Sequence, residues 1–70
     1  MNYLQSKPGI AGGELTIKDT RIRIAQVISM LANGYTIKRI HTEWFPHLST
    51  ETLSGAVEEA TQYLSTGAHA

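Results

Sequence analysis

Seventy residues with a formal net charge of zero and no cysteine describe one small domain with neither disulfide staples nor a cysteine zinc site. A chain this short buries only about 60% of the surface its unfolded form exposes, so self-association or docking on a larger protein is the expected source of added stability. The longest apolar-leaning run, IAQVISMLA, falls far short of the ~20 residues a membrane span needs. The opening MNYLQSKPG lacks an apolar leader core, so a cytoplasmic protein without a membrane partner is expected.

The zero net charge conceals an uneven distribution. Residues 1–40 hold every lysine and arginine (Lys7, Lys18, Arg21, Arg23, Lys38, Arg39) with only Glu14 and Asp19 against them. Residues 41–70 hold Glu43, Glu51, Glu58 and Glu59 and no Lys or Arg. Local fields follow nearby charges, so the front half suits an anionic partner, and the acidic half reads as a solvated helix face.

Four segments follow in chain order. Residues 1–13, with Pro8-Gly9 favouring a turn and Gly12-Gly13 a freely bending backbone, read as an extended arm. Residues 14–24 read as a β-hairpin. A two-residue turn at Asp19-Thr20 would set Lys18 opposite Arg21, Ile17 opposite Ile22, Thr16 opposite Arg23 and Leu15 opposite Ile24, placing all four apolar residues on one side. Asp19 is a poor substitute for the glycine or asparagine such a turn favours.

Residues 25–65 then read as three helices. Ile24, Val27, Ile28 and Leu31 recur at helical spacing, and Asn33-Gly34 is a stop. Thr36 caps a second helix with Ile37, Ile40 and Trp44 on one side, ended by Phe45-Pro46. Ser49 caps a third, with Leu48 and Leu53 at staple spacing and Leu53, Ala56, Val57, Ala60 and Leu64 as the inner stripe. Its outward positions carry Glu51, Glu58, Glu59 and Gln62. Gly55 in mid-helix costs about 1 kcal/mol relative to alanine, which a close backbone contact would explain. Gly67 is the expected stop, and residues 66–70 the expected flexible tail.

Helix, glycine turn and capped helix in VISMLANGYTIKRIHTEW fit the helix-turn-helix pattern. The second helix would then present Lys38, Arg39, His41 and Thr42 to DNA, with Arg21 and Arg23 adding phosphate contacts from the ribbon. So few cations per chain would need a homodimer to hold DNA. The apolar ribbon side, Leu15, Ile17, Ile22 and Ile24, is expected at the helices and at a dimer or partner interface, and the ribbon's free backbone edge is expected to pair with a second copy. Trp44, Phe45 and Leu48 are expected to close the core, the alternative being that one of the aromatics is exposed and anchors a partner, and His47 is expected to serve its turn. His41, His47 and His69 lack ligand spacing, so no metal site is expected. Hydrolase, phosphate-loop and zinc-protease motifs are missing from the sequence, so the chain is read as a non-enzyme with no catalytic residues and no cofactor.

The order of Pro8-Gly9-Ile10, Gly12-Gly13, Ile17, Thr20-Arg21-Ile22, Ile24, Val27, Leu31, Gly34, Ile40, Pro46-His47-Leu48, Leu53, Ala56, Ala60 and Tyr63 resembles a bacterial family known as domain of unknown function 433. The resemblance spans about residues 3 to 64. It implies a mainly α fold, an N-terminal β-hairpin followed by a three-helix homeodomain-like bundle. It also implies an antitoxin-like role of a toxin–antitoxin system: a small partner of a PIN-like ribonuclease toxin that binds its own promoter DNA. The alternative is a protein-interaction module that binds no DNA. This chain departs from the family pattern in Asp19 where glycine is usual, in Glu14-Leu15 after the double glycine, in Lys38-Arg39 where acids are common, and in one extra residue between Gly34 and Pro46.

Overall fold

Leu4, Ile17, Ile24, Val27, Ile40, Leu53, Ala56 and Ala60 form the buried apolar core, and they come from all parts of the chain. They are seen in a computed structural model that describes residues 2–7, 9 and 11–67, side chains at 11 and 64–67 excepted. Strand β1 is Leu4–Gln5 and β2 is Thr16–Ile17, while the helices are α1 (Ile24–Ala32), α2 (Ile37–Arg39) and α3 (Thr50–Gly67). The expected mainly helical architecture, short strands leading three helices, is present. The expected Pro8 turn, the inward place of Leu64 and the tail beyond Gly67 lie outside the described residues.

The expected arm is not a passive extension. Leu4 pairs antiparallel opposite Ile17, and Gln5 opposite Thr16, so β2 becomes the middle strand. Its other edge keeps the expected register: the Ile17 N–H donates to the Ile22 carbonyl at 2.9 Å, the Ile24 N–H to that of Leu15 at 3.0 Å, and Thr16 faces Arg23. The second half of the hairpin shrinks to a bridge because Ile24 already begins α1. The turn also differs from expectation. It is centred on Lys18 and Asp19, with the Thr20 N–H donating to the Ile17 carbonyl at 3.0 Å and Asp19 left-handed at φ 64°. The Thr20 hydroxyl donates to the Ile17 carbonyl at 2.7 Å and accepts from the Ile22 N–H at 3.0 Å. Lys18 does not pair with Arg21; its N–H donates to the Tyr3 carbonyl at 2.9 Å.

The helix signals act as their residues suggest. After α1 the Gly34 N–H donates to Leu31 and the Tyr35 N–H to Met30, at 3.1 and 3.0 Å. This double reach-back needs a left-handed residue, supplied by Gly34 at φ 96°,. The Thr36 hydroxyl accepts from the Arg39 N–H at 3.1 Å, and the Ser49 hydroxyl from that of Thr52 at 3.0 Å, so both caps are made. The second helix is not regular throughout. After Arg39 it widens into a π-helical turn, Ile40–Trp44, closed by the Phe45 N–H on the Ile40 carbonyl at 2.9 Å. A five-residue reach takes up one residue more than an α turn. Ile40 stays fully buried there, but Trp44 emerges 49% exposed, against the expectation that it closes the core.

The N-terminal strand is fastened to the far end of the chain. The Glu59 carboxylate, on α3, accepts from three successive backbone N–H groups: Asn2 at 2.8 Å, Tyr3 at 2.9 Å and Leu4 at 3.2 Å. Glu59 therefore leaves the outward acidic set in which it was expected. One turn earlier Gly55 receives the Tyr3 ring: a Cβ there would sit 2.6 Å from Tyr3 Cδ2, far inside contact distance. The expected close approach at Gly55 is real, although a side chain and not a backbone makes it. Partial desolvation works to raise the Glu59 pKa, but the bonds from Tyr3, Asn2 and Leu4 outweigh it and hold the carboxyl below its ordinary value,.

Two outcomes test this attachment. Gly55→Ala should stabilise a Tyr3→Ala background by up to about 1 kcal/mol, the ordinary helix preference. In the parent chain the same change should gain less, or destabilise, because the ring must leave; a four-way denaturation cycle reads the coupling. Because the folded-state pKa of Glu59 is depressed, its contribution is present above the unfolded carboxylate pKa and fades as pH falls through the folded one. Protection of the Tyr3 and Leu4 amides, measured against their intrinsic exchange rates, should accordingly fall as pH is lowered through and below the ordinary carboxylate range, and in Glu59→Gln this pH-dependent step should be lost.

Candidate functional site

The six side chains expected to meet DNA have different surroundings. Arg39 is committed: its Nε lies 2.8 Å from Glu43 Oε2 and its Nη2 3.3 Å from Oε1, and its guanidinium lies 4.6 Å from the centre of the Tyr35 ring. The hydrogen bond and charge of Glu43 push the Arg39 pKa up, and the bond from Arg39 draws the Glu43 carboxyl down. Arg23 pairs with Glu14 at 3.1 Å. Exposed pairs of this kind add little stability, but they neutralise the cation locally. His41 is half-buried, not outward, and its Nδ1–H donates to the Leu48 carbonyl. Arg21, Lys38 and Thr42 are exposed. Among the described residues no carboxylate forms an ion pair with Arg21 or Lys38.

The four residues expected at a dimer or partner interface serve this chain's own interior. Ile17 and Ile24 are buried, while Leu15 and Ile22 are half-buried against the core. The edge expected to receive a second copy is occupied on one side by β1, where the Leu4 N–H and those of Asn2 and Tyr3 before it meet Glu59, and on the other by residues 22–24.

What stays open is a groove of about 800 Å³ between the β2 loop and the corner after α2. The loop supplies Asp19, Thr20, Arg21 and Ile22, and β1 with its extension supplies Gln5 and Lys7. Trp44, Phe45 and His47 form the opposite wall. Gln5 shapes this wall without being free to bind: its amide donates to Thr16 Oγ1 and to the Thr20 carbonyl, both at 3.2 Å, and its oxygen accepts from the Asp19 N–H at 3.2 Å. Trp44 is braced edge-on by Tyr35, with ring centres 6.3 Å apart at 74°, and Phe45 likewise by His47 at 6.3 Å and 89°. The binding groups left over are two cations, Lys7 and Arg21, one anion, Asp19, the His47 imidazole and a half-exposed indole. Among the described residues no group of three or more His, Asp or Glu side chains is placed to hold a metal ion.

Lys7, Asp19 and His47 are contributors that sequence reasoning assigned to no site, and Trp44 realises the alternative of an exposed aromatic and not the core place expected first. Trp44 sits at the spacing of a core residue, and the π-helical turn that exposes it has no periodicity of its own to detect. The engagement of Arg39 was legible, since Arg39 and Glu43 stand four apart on one helix.

Residues 4–63 match the family described as protein of unknown function DUF433. The chain belongs to that family. A crystal structure of a DUF433 member protein from Anabaena variabilis is similar at a TM-score of 0.79 and 29% identity, over 94% of this chain. The chain spans 64% of the length of that DUF433 protein. No curated protein matches. No helix of the described residues is long and apolar enough to cross a membrane.

The loop that forms one groove wall carries a testable cost. A left-handed Asp19 is less comfortable than glycine by about 1 kcal/mol, and glycine is the residue the DUF433 resemblance favours there. Asp19→Gly should raise stability by up to about that amount in denaturant titration, with the Thr20 and Ile22 amide shifts little changed. A loss of stability would mean that the Asp19 side chain supports the loop.

Proposed function

We propose that this DUF433 chain is a small, non-catalytic, antitoxin-like protein of the bacterial cytoplasm that binds a PIN-like ribonuclease through the groove beside Trp44. The observation that supports it is the 49% exposure of Trp44 in a groove that also holds two cations, Lys7 and Arg21, without ion-pair partners among the described residues. Tryptophan and arginine are among the residue types enriched at the energetic centre of protein interfaces. The ribonuclease is suggested by the family resemblance, and the groove chemistry favours a protein surface more generally.

Promoter DNA is the second reading, favoured by exposed Lys38 on the Thr36-capped helix. It is the weaker one, because Arg23 and Arg39 meet carboxylates of their own chain and His41 turns inward. A homodimer belongs to this second reading, since doubling the free cations is what would give useful phosphate affinity.

Co-expression with a PIN-like nuclease encoded beside the gene tests the first reading. A stable complex and suppressed RNA cleavage are expected, with Trp44→Ala weakening the complex at least about tenfold while circular dichroism is unchanged. No complex, or full affinity in Trp44→Ala, would remove the reading. A mobility shift with upstream DNA that weakens with salt and disappears in Lys38→Ala would put the DNA reading in its place.

A further inference from the structure

The groove's chemistry specifies its occupant more narrowly. Resting on the protein-partner reading above, we infer that it takes a short, extended, acidic segment of the partner, with carboxylates alternating with leucine-sized side chains. The two arginines nearest a carboxylate of this chain are already neutralised, Arg23 by Glu14 at 3.1 Å and Arg39 by Glu43 at 2.8 Å. Arg21 and Lys7, which share the groove, have no such partner among the described residues. Two cations on one side of a groove, neither in an ion pair among the described residues, are complementary to carboxylates of an extended chain, and such complementarity directs association more than it adds raw affinity.

The apolar half of the match is the wall made by Trp44 and Phe45. Both rings are held in place by neighbours, so little side-chain freedom is lost when an aliphatic group packs on them. The groove, about 800 Å³ and open to solvent, has room for a few residues of an extended chain.

Asp19 separates a peptide from a nucleic acid. Its carboxylate stands on the same loop as Arg21 and lines the same groove. A phosphodiester strand brings a negative charge with every nucleotide and must place some of it near Asp19. An acidic peptide carries charge only at alternate side chains and offers backbone N–H groups, which a carboxylate accepts. The single anion on the wall therefore favours the peptide.

Trp44 is the chain's one tryptophan, so its emission reports on the groove directly. The probes are a capped hexapeptide alternating glutamate and leucine, its lysine–leucine counterpart and a ten-nucleotide oligothymidylate. The acidic peptide should give a saturable change that weakens severalfold between about 50 and 300 mM salt. In Arg21→Gln/Lys7→Gln it should bind at least fivefold more weakly. The charge-reversed Arg21→Glu/Lys7→Glu should instead respond to the lysine–leucine peptide, an acquired property that misfolding would not produce. No saturable change with the acidic peptide, an equal response in the neutralised variant, or a stronger response to the oligonucleotide would overturn the inference. A nuclease complex without peptide binding would overturn this inference and leave the antitoxin reading standing. Peptide binding without a nuclease complex would do the reverse.

Discussion

One carboxylate holds the two ends of this protein together. Glu59 accepts three consecutive backbone N–H groups from the first residues of the chain, and Gly55, on the same face one turn earlier, makes room for Tyr3. Without that seat Leu4 would have no defined place in the core, β2 would lose one of its neighbours, and Gln5 could not reach the loop it braces. The attachment is also the device that closes the strand edge. Backbone donors that would otherwise invite another chain are satisfied by a side chain of the same molecule.

The groove inherits its shape from this arrangement. Its floor and one wall depend on β1, because the Gln5 amide contacts Thr16, Thr20 and Asp19 and so fixes the loop that carries Arg21. The other wall depends on the π-helical turn, which leaves Ile40 buried and brings Trp44 out. Two departures from simple secondary structure, a left-handed Asp19 and a widened helical turn, thus lie on opposite sides of one cleft. Irregular backbone tends to gather where a protein makes its contacts.

Much of the fold could be read from the residues. Thr36, Ser49 and Gly34 announce their capping roles through types that satisfy or relieve helix ends, and the alternation in GELTIKDTRIRI fixed the pairing of Ile17 with Ile22. Leu4 escaped because a two-residue strand has no period to detect, and its partner lies 13 positions away. Glu59 escaped for a related reason: a carboxylate beside Glu58 on a long helix looks like solvated charge unless the backbone that binds it is known. Charge counting likewise overestimated the basic surface, since it could not show that Glu14 and Glu43 sit on Arg23 and Arg39. The candidate site was therefore half visible, with Arg21 found and Trp44 assigned to the interior.

The distance in sequence between Glu59 and the strand it holds has a bearing on how the protein is made. During synthesis β1 leaves the ribosome well before α3 exists, so it must wait without its Glu59 partner until that helix has emerged. A strand made early is among the last parts of this fold to be seated. Closure of so wide a loop slows folding, and for that interval the nascent chain exposes the strand edge and the apolar Leu4 that the finished fold conceals.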